Sequence, residues 1–114
     1  MSIYEKVYKI VRQIPKGRVL TYSVISHMID TRLSAQGVGW ALNALKSVDQ
    51  TQPETGYTSE NVPWHRVINS RAGISTHKQK SIPPGRQKKL LEEEGVVFQE
   101  DETIILKDYL WRDI

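Results

Sequence analysis

The sequence predicts a mainly α-helical domain carrying a small β hairpin, in the arrangement of a winged helix-turn-helix. Three observations predict it. Apolar residues recur at helical spacing in three early segments, and Pro83-Pro84-Gly85 and Gly95 bracket a fourth helix. A short pair of β-prone runs flanks a turn-forming triplet after residue 66. The 114 residues suit a single domain, and no internal repeat or low-complexity tract divides them.

The elements follow in order. Ser2-Ile3-Tyr4-Glu5 has the form of a capping box, and Ile3, Val7, Ile10, Val11 and Ile14 then fall on one helical face until Pro15 and Gly17 end it. Thr21 is placed to cap a second helix running to Ile29, with Val24, Ile25, Met28 and Ile29 as its apolar side. Ser34 is placed to cap a third, running to Lys46, with Val38, Ala41, Leu42 and Leu45 inward. Gly37 and Gly39 interrupt that helix, each costing about 1 kcal/mol relative to Ala. Such glycines fit the close approach of another backbone or a ligand, or close helix–helix packing. Ser47 to Asn61, with Pro53 and Gly56, reads as a surface loop. Val67-Ile68-Asn69 and Gly73-Ile74-Ser75 flank Ser70-Arg71-Ala72 as a hairpin. Pro83-Pro84-Gly85 leads into a fourth helix, Arg86 to Glu94, closed by Gly95. Val96-Val97-Phe98 and Thr103-Ile104-Ile105-Leu106 suit a last pair of short strands. In this reading Thr21 to Ile29 is the first helix of the helix-turn-helix, Ser34 to Lys46 is its recognition helix, and the hairpin is the wing.

Composition narrows the chemistry. The chain has no cysteine, which removes disulfides, thiolate metal sites and a thiol nucleophile. His27, His65 and His77 lack metal-ligand spacing, so neither a metal nor an organic cofactor is expected. No apolar run approaches the ~20 residues of a membrane span, and the N-terminus does not resemble a signal peptide. The expectation is an intracellular monomer without a membrane partner. The net charge is only +3, but it is unevenly placed. Between Asn61 and Leu91 there is no Asp or Glu, while Arg66, Arg71, Lys78, Lys80, Arg86, Lys88 and Lys89 all fall there. Acids follow at Glu92, Glu93, Glu94, Glu100, Asp101 and Glu102. The basic block fits a phosphate backbone, and equally a solvated face with locally unbalanced charge.

Pro63-Trp64-His65-Arg66-Val67-Ile68-Asn69 is the most specific run in the chain. With Gly17-Arg18-Val19-Leu20-Thr21-Tyr22 upstream and Glu94-Gly95 downstream, it resembles the C-terminal domain of O6-alkylguanine-DNA alkyltransferases. That family has Pro-Cys-His-Arg-Val at this run, the cysteine accepting the alkyl group. Tryptophan in the cysteine position is the mark of alkyltransferase-like proteins. The resemblance covers nearly the whole chain, although the loop Ser47 to Asn61 is longer than the family pattern. It implies binding of duplex DNA containing O6-alkylguanine through the minor groove and rotation of the lesion base into a pocket. It further implies hand-over to nucleotide excision repair proteins without repair by the chain itself.

The resemblance also assigns residues. His65 and Glu94 match the pair that turns the cysteine into a thiolate. With no thiol to activate, they are expected to hydrogen-bond through water and shape the pocket, or to form a structural polar pair, which fits better than residual catalysis. Trp64 offers the pocket a π-rich wall, worth about 1–3 kcal/mol per stacked base. Asn69 and Ser75 match positions that line the pocket. Val67 belongs to the same segment and, with Ile68, forms core beneath its floor. Tyr22 matches the tyrosine that presses on the target phosphate during extrusion, or is a partly buried residue at a helix start. Thr21, Gly37, Gly39 and Arg66 complete the expected DNA-contacting set.

The chain departs from the family pattern in two places. The recognition helix of the family begins Ala-Arg-x-Val-Gly, its Arg entering the base stack; here Ala35-Gln36-Gly37-Val38-Gly39 puts Gln36 there, without charge. Trp40, larger than the family pattern, either packs on the sugar edge or is simply semi-exposed. His77 falls where an Arg lies against the alkylated guanine in alkyltransferase-like proteins. These departures leave room for an alternative: a winged-helix regulator or interaction module without lesion preference. An alkyl-transferring enzyme is excluded by the missing thiolate, and no glycosylase or lyase motif is present.

Overall fold

The spacing of apolar residues along the first third of the chain produces three helices that pack on one another. The computed structural model describes residues 3–29, 33–45, 57–58, 60–74 and 85–112. Helix α1 (Ile3–Arg12) buries Val7, Tyr8 and Val11. Ile14 is buried just beyond it, and Gly17 turns the chain at φ +81°. Strand β1 (Leu20–Thr21) leads directly into helix α2 (Tyr22–Met28), where the Thr21 hydroxyl accepts the Val24 amide at 3.2 Å. Helix α3 (Ala35–Asn43) starts the same way, with Ser34 Oγ accepting the Gly37 amide at 3.0 Å. Both caps satisfy amides that have no partner within the helix. The Ser26 hydroxyl donates to the Leu33 carbonyl at 2.6 Å, fixing the approach from α2 to α3.

The later elements are shorter. A single 3-10 turn (Trp64–Arg66) runs into strand β2 (Val67–Ile68). Helix α4 (Arg86–Glu93) begins after Gly85 and ends before Gly95, both at positive φ. A one-turn helix α5 (Leu106–Tyr109) follows.

Two expectations about strands are corrected. Val67–Ile68 does not form a ladder with Gly73-Ile74. It pairs in parallel with β1, Leu20 opposite Val67 and Thr21 opposite Ile68. The 69–73 segment is a tight turn, closed by Asn69 N–H to the Gly73 carbonyl and by Ala72 at φ +64°. The β1–β2 pairing wins because each strand alternates between two cores. Leu20 and Val67 face one, formed with α1, α2 and α3. Val19 and Ile68 face the other, with Leu91, Val96 and Ile104. The last strand pair is likewise a turn, with the Gln99 amide on the Thr103 carbonyl, and Leu106 belongs to α5. The third helix ends at Asn43, short of Lys46.

The Ser2 cap, Pro83-Pro84, Ser75 and His77 lie outside the described residues, as does most of the 47–61 loop. The end of that loop is seated on α1: the Tyr57 ring lies 5.4 Å from Tyr8, with Arg12 over its face.

Candidate functional site

The 3-10 turn Trp64–Arg66 holds the densest polar network in the described residues, and its centre is Glu94 at the end of α4. His65 Nε2 lies 2.7 Å from Glu94 Oε2. Arg66 forks onto the same carboxylate, Nη2 at 2.8 Å from Oε2 and Nε at 3.0 Å from Oε1. The Gly17 amide donates to Oε1 at 3.2 Å. Gly17 is needed for its positive φ, and a Cβ there would press on the Glu94 carbonyl. Arg66 Nη1 donates to the Ile14 carbonyl at 2.8 Å, which ties the end of α1 to the same cluster.

The electrostatics follow from those donors. Burial alone would raise the Glu94 pKa. The hydrogen bonds from Arg66, His65 and Gly17 outweigh it and bring the group down to about 2. Glu94 is therefore a carboxylate that only accepts. Burial pushes the His65 imidazole down, against the pull of Glu94. The neutral ring then carries its proton on Nε2, toward Glu94, and leaves Nδ1 as an acceptor. A carboxylate saturated in this way has little basicity, so the pair reads as a structural clamp, in direct contact rather than through water.

Beside the clamp, the Trp64 indole stands edge-on to the His65 ring, centroids 6.0 Å apart at 86°. Trp64 is half-buried and packs against the core of α1–α3. It offers an aromatic wall and no nucleophilic atom.

Several expected site residues sit elsewhere than the surface. Thr21 is 5 % exposed, and its hydroxyl caps α2. Arg66, with its side chain 17 % exposed, directs its guanidinium inward to Glu94 and Ile14 rather than to a phosphate. Val67 is fully buried core. Asn69 Oδ1 accepts the amides of Arg71 and Gly73, so this side chain holds the turn. Gly37 is explained by packing, since a Cβ there would collide with Leu33. By contrast, Gln36 and Trp40 are exposed on α3, and Gly39 and Tyr22 are half-buried next to them. The parallel β1–β2 register places Tyr22 and Asn69 at the same end of the strand pair.

One residue of the site was not foreseen. Gln87 on α4 is 1 % exposed, and its Nε2 donates to the His65 carbonyl at 2.9 Å and the Val67 carbonyl at 2.8 Å. It holds the backbone of the Trp64–Arg66 turn. A glutamine in a run of Lys and Glu gives no periodicity signal of its own. The available clue was its place four residues before Leu91, on the same face of the helix.

Comparison with known proteins bears on this geometry. A family model described as the DNA-binding domain of 6-O-methylguanine DNA methyltransferase matches residues 2–96. Alkyltransferase-like protein 1 of Schizosaccharomyces pombe is 41% identical over 117 residues, spanning 97% of this chain and 95% of that protein. A DNA base-flipping protein of Vibrio parahaemolyticus is 37% identical, spanning 94% and 93%. Among solved structures, the S. pombe protein in complex with damaged DNA containing O6-carboxymethylguanine superposes with a TM-score of 0.70 at 38% identity, covering 98% of this chain and 99% of that one. The O6-methylguanine methyltransferase of Mycobacterium tuberculosis matches with a TM-score of 0.59 at 25% identity, over 82% of this chain and 48% of that one.

Proposed function

Since the chain belongs to the family of 6-O-methylguanine DNA methyltransferase DNA-binding domains, we propose that it recognises O6-alkylguanine in duplex DNA, extrudes the base and holds it without chemical reaction. The observation that carries this reading is Trp64. It stands beside an intact His65–Glu94 pair, in a chain with no cysteine, at the position where the alkyl-accepting members have their thiol. Relatives named for base flipping, and a relative solved with an O6-alkylated guanine, support the same partner.

α3 presents Gln36, Gly39 and Trp40 to the groove. Tyr22, at the start of α2, presses on the backbone of the nucleotide being turned out. Trp64 offers the extruded base a stacking surface. The protein acts as a monomer, and because it leaves the lesion unchanged, nucleotide excision repair proteins are its functional partners.

The test is a binding series with a duplex carrying O6-methylguanine and the same duplex with guanine. The lesion duplex binds more tightly, and Trp64→Ala removes most of that preference, a loss on the order of tenfold. Equal affinity of the unaltered protein for both duplexes at physiological salt would instead identify a general DNA-binding module. Incubation with alkyl-labelled DNA leaves the protein unlabelled; covalent label would overturn the reading.

A further inference from the structure

The outer face of α3 is a stripe of Gln36, Trp40 and Asn43, while Gly37, Val38, Ala41 and Leu42 are buried. Residues four apart share a helix face, and at 1.5 Å per residue Gln36 and Trp40 are roughly 6 Å apart along the axis. Trp40 is 59 % exposed and packs in neither hydrophobic cluster of the described residues. The helix carries no charged residue anywhere along Ala35–Asn43. A face made for phosphates carries Lys or Arg. An aromatic between two carboxamides suits the floor of a groove, where amides meet base edges and apolar side chains wedge against base steps. Gly39, next to Trp40, keeps the helix surface low there, with only the edge of the Tyr22 ring close by.

We propose that Trp40 is a second stacking residue of this protein, wedged into the minor groove against the base stack one to two steps from the extruded nucleotide. It supplies the aromatic surface that Gln36, in the position of an intercalating arginine, does not. This rests on the reading of α3 as the DNA-facing helix and of the partner as duplex DNA. The displacement follows from the ~6 Å offset, set against a base-pair rise of roughly 3.4 Å. A neutral wedge outside the pocket strengthens binding to damaged and undamaged duplex alike. It also releases no counterions, so it leaves the salt dependence unchanged.

The experiment uses the full chain and two duplexes, with and without O6-methylguanine, over a range of salt. Trp40→Ala weakens binding to both by roughly tenfold. It keeps the lesion-to-guanine affinity ratio within about twofold and leaves the slope of log K against log salt unaltered. A second readout places 2-aminopurine two steps from the lesion, beyond the bases that extrusion itself unstacks. Its fluorescence changes on binding the unaltered protein and the Trp64→Ala variant, and does not change with Trp40→Ala. A variant retaining Trp40 as its sole tryptophan (Trp64→Phe with Trp111→Phe) shows protection from acrylamide quenching when either duplex binds, which tests the contact without removing Trp40. Unchanged affinity of Trp40→Ala, or full quencher access in the complex, overturns the proposal. A loss confined to the lesion duplex overturns it too, because Trp40 would then belong to the pocket. Failure of the unaltered protein to prefer the lesion, with Trp40→Ala still weakening both duplexes, would sink the lesion reading and leave the wedge standing.

Discussion

At Gly39 an added methyl group would meet only the edge of the Tyr22 ring, at 3.9 Å, an ordinary van der Waals distance. Inside a helix, Ala is favoured over Gly by about 1 kcal/mol. Among the described residues nothing therefore requires glycine at this position, unlike Gly37 under Leu33. In the proposed reading, the glycine leaves room for the DNA surface that α3 meets. Gly39→Ala is expected to hold or raise the thermal unfolding midpoint while weakening binding to any duplex on the order of tenfold, about 1.4 kcal/mol. A variant that binds as tightly as the original places Gly39 away from the DNA. Gln36 is tested in the opposite sense. Gln36→Arg adds a cation on an exposed, charge-free face, so affinity for both duplexes rises and the salt dependence steepens by about one phosphate contact. Weaker binding by Gln36→Arg would remove residue 36 from the base stack. The two helix caps, Thr21 and Ser34, were legible in the sequence because capping is a local hydrogen bond. The inward turn of Arg66 was not, because its partners come from residues 14 and 94.

Helix α4 does two things for the element beside it. Glu94 grips the side chains of the 3-10 turn, and Gln87 grips its backbone. Replacing the carboxamide by an apolar chain of similar length removes the donor it gives to the carbonyls of His65 and Val67. Gln87→Met is therefore expected to lower stability by about 1–3 kcal/mol, measured by urea denaturation, and to reduce lesion preference as Trp64 loses its support. A variant of unchanged stability would show that those carbonyls find other donors. The existence of α1 to α3 was readable from apolar spacing, and that of α4 from the Pro-Pro-Gly before it and the glycine after it, because all of these signals are local. The strand pairing was not. Val67–Ile68 has the composition of a hairpin arm, but its partner is β1, on the far side of α2 and α3 in the chain. A two-residue parallel contact has no local turn to announce it.

Across the whole molecule the Glu94 cluster links α1, the Gly17 turn, the Trp64–Arg66 turn and α4, so its titration is felt as global stability. Glu94 falls from 4.5 to about 2 on folding. Its contribution is present above pH 4.5 and is lost as pH falls through about 2. His65 lies below its ordinary 6.5 in the folded state, so the unfolded chain takes up the proton first. Stability is lost as pH drops below 6.5, in the same direction. Urea midpoints measured from pH 7 to pH 3 should fall steadily. Glu94→Gln should cost about 3 kcal/mol at pH 7 by leaving the largely buried Arg66 uncompensated, and should flatten the fall below pH 4.5. A profile as steep as that of the unaltered protein would assign the acid sensitivity to other groups.

Residue order limited what could react, and the family resemblance it carries suggested what could be recognised. The absence of cysteine and the run Pro63-Trp64-His65-Arg66-Val67 excluded thiol chemistry and pointed to a held base. Capping and helical periodicity are local, and they were complete within a few residues. Which polar groups remain free for a ligand was decided only by the tertiary structure. Thr21, Arg66 and Asn69 have the chemistry of contact residues, yet folding brings each an internal partner, because a buried donor or acceptor left unpaired costs more than a surface contact returns. The same packing left Gln36 and Trp40 uncovered on α3, and that exposure moves the main question about binding from the pocket to the helix face.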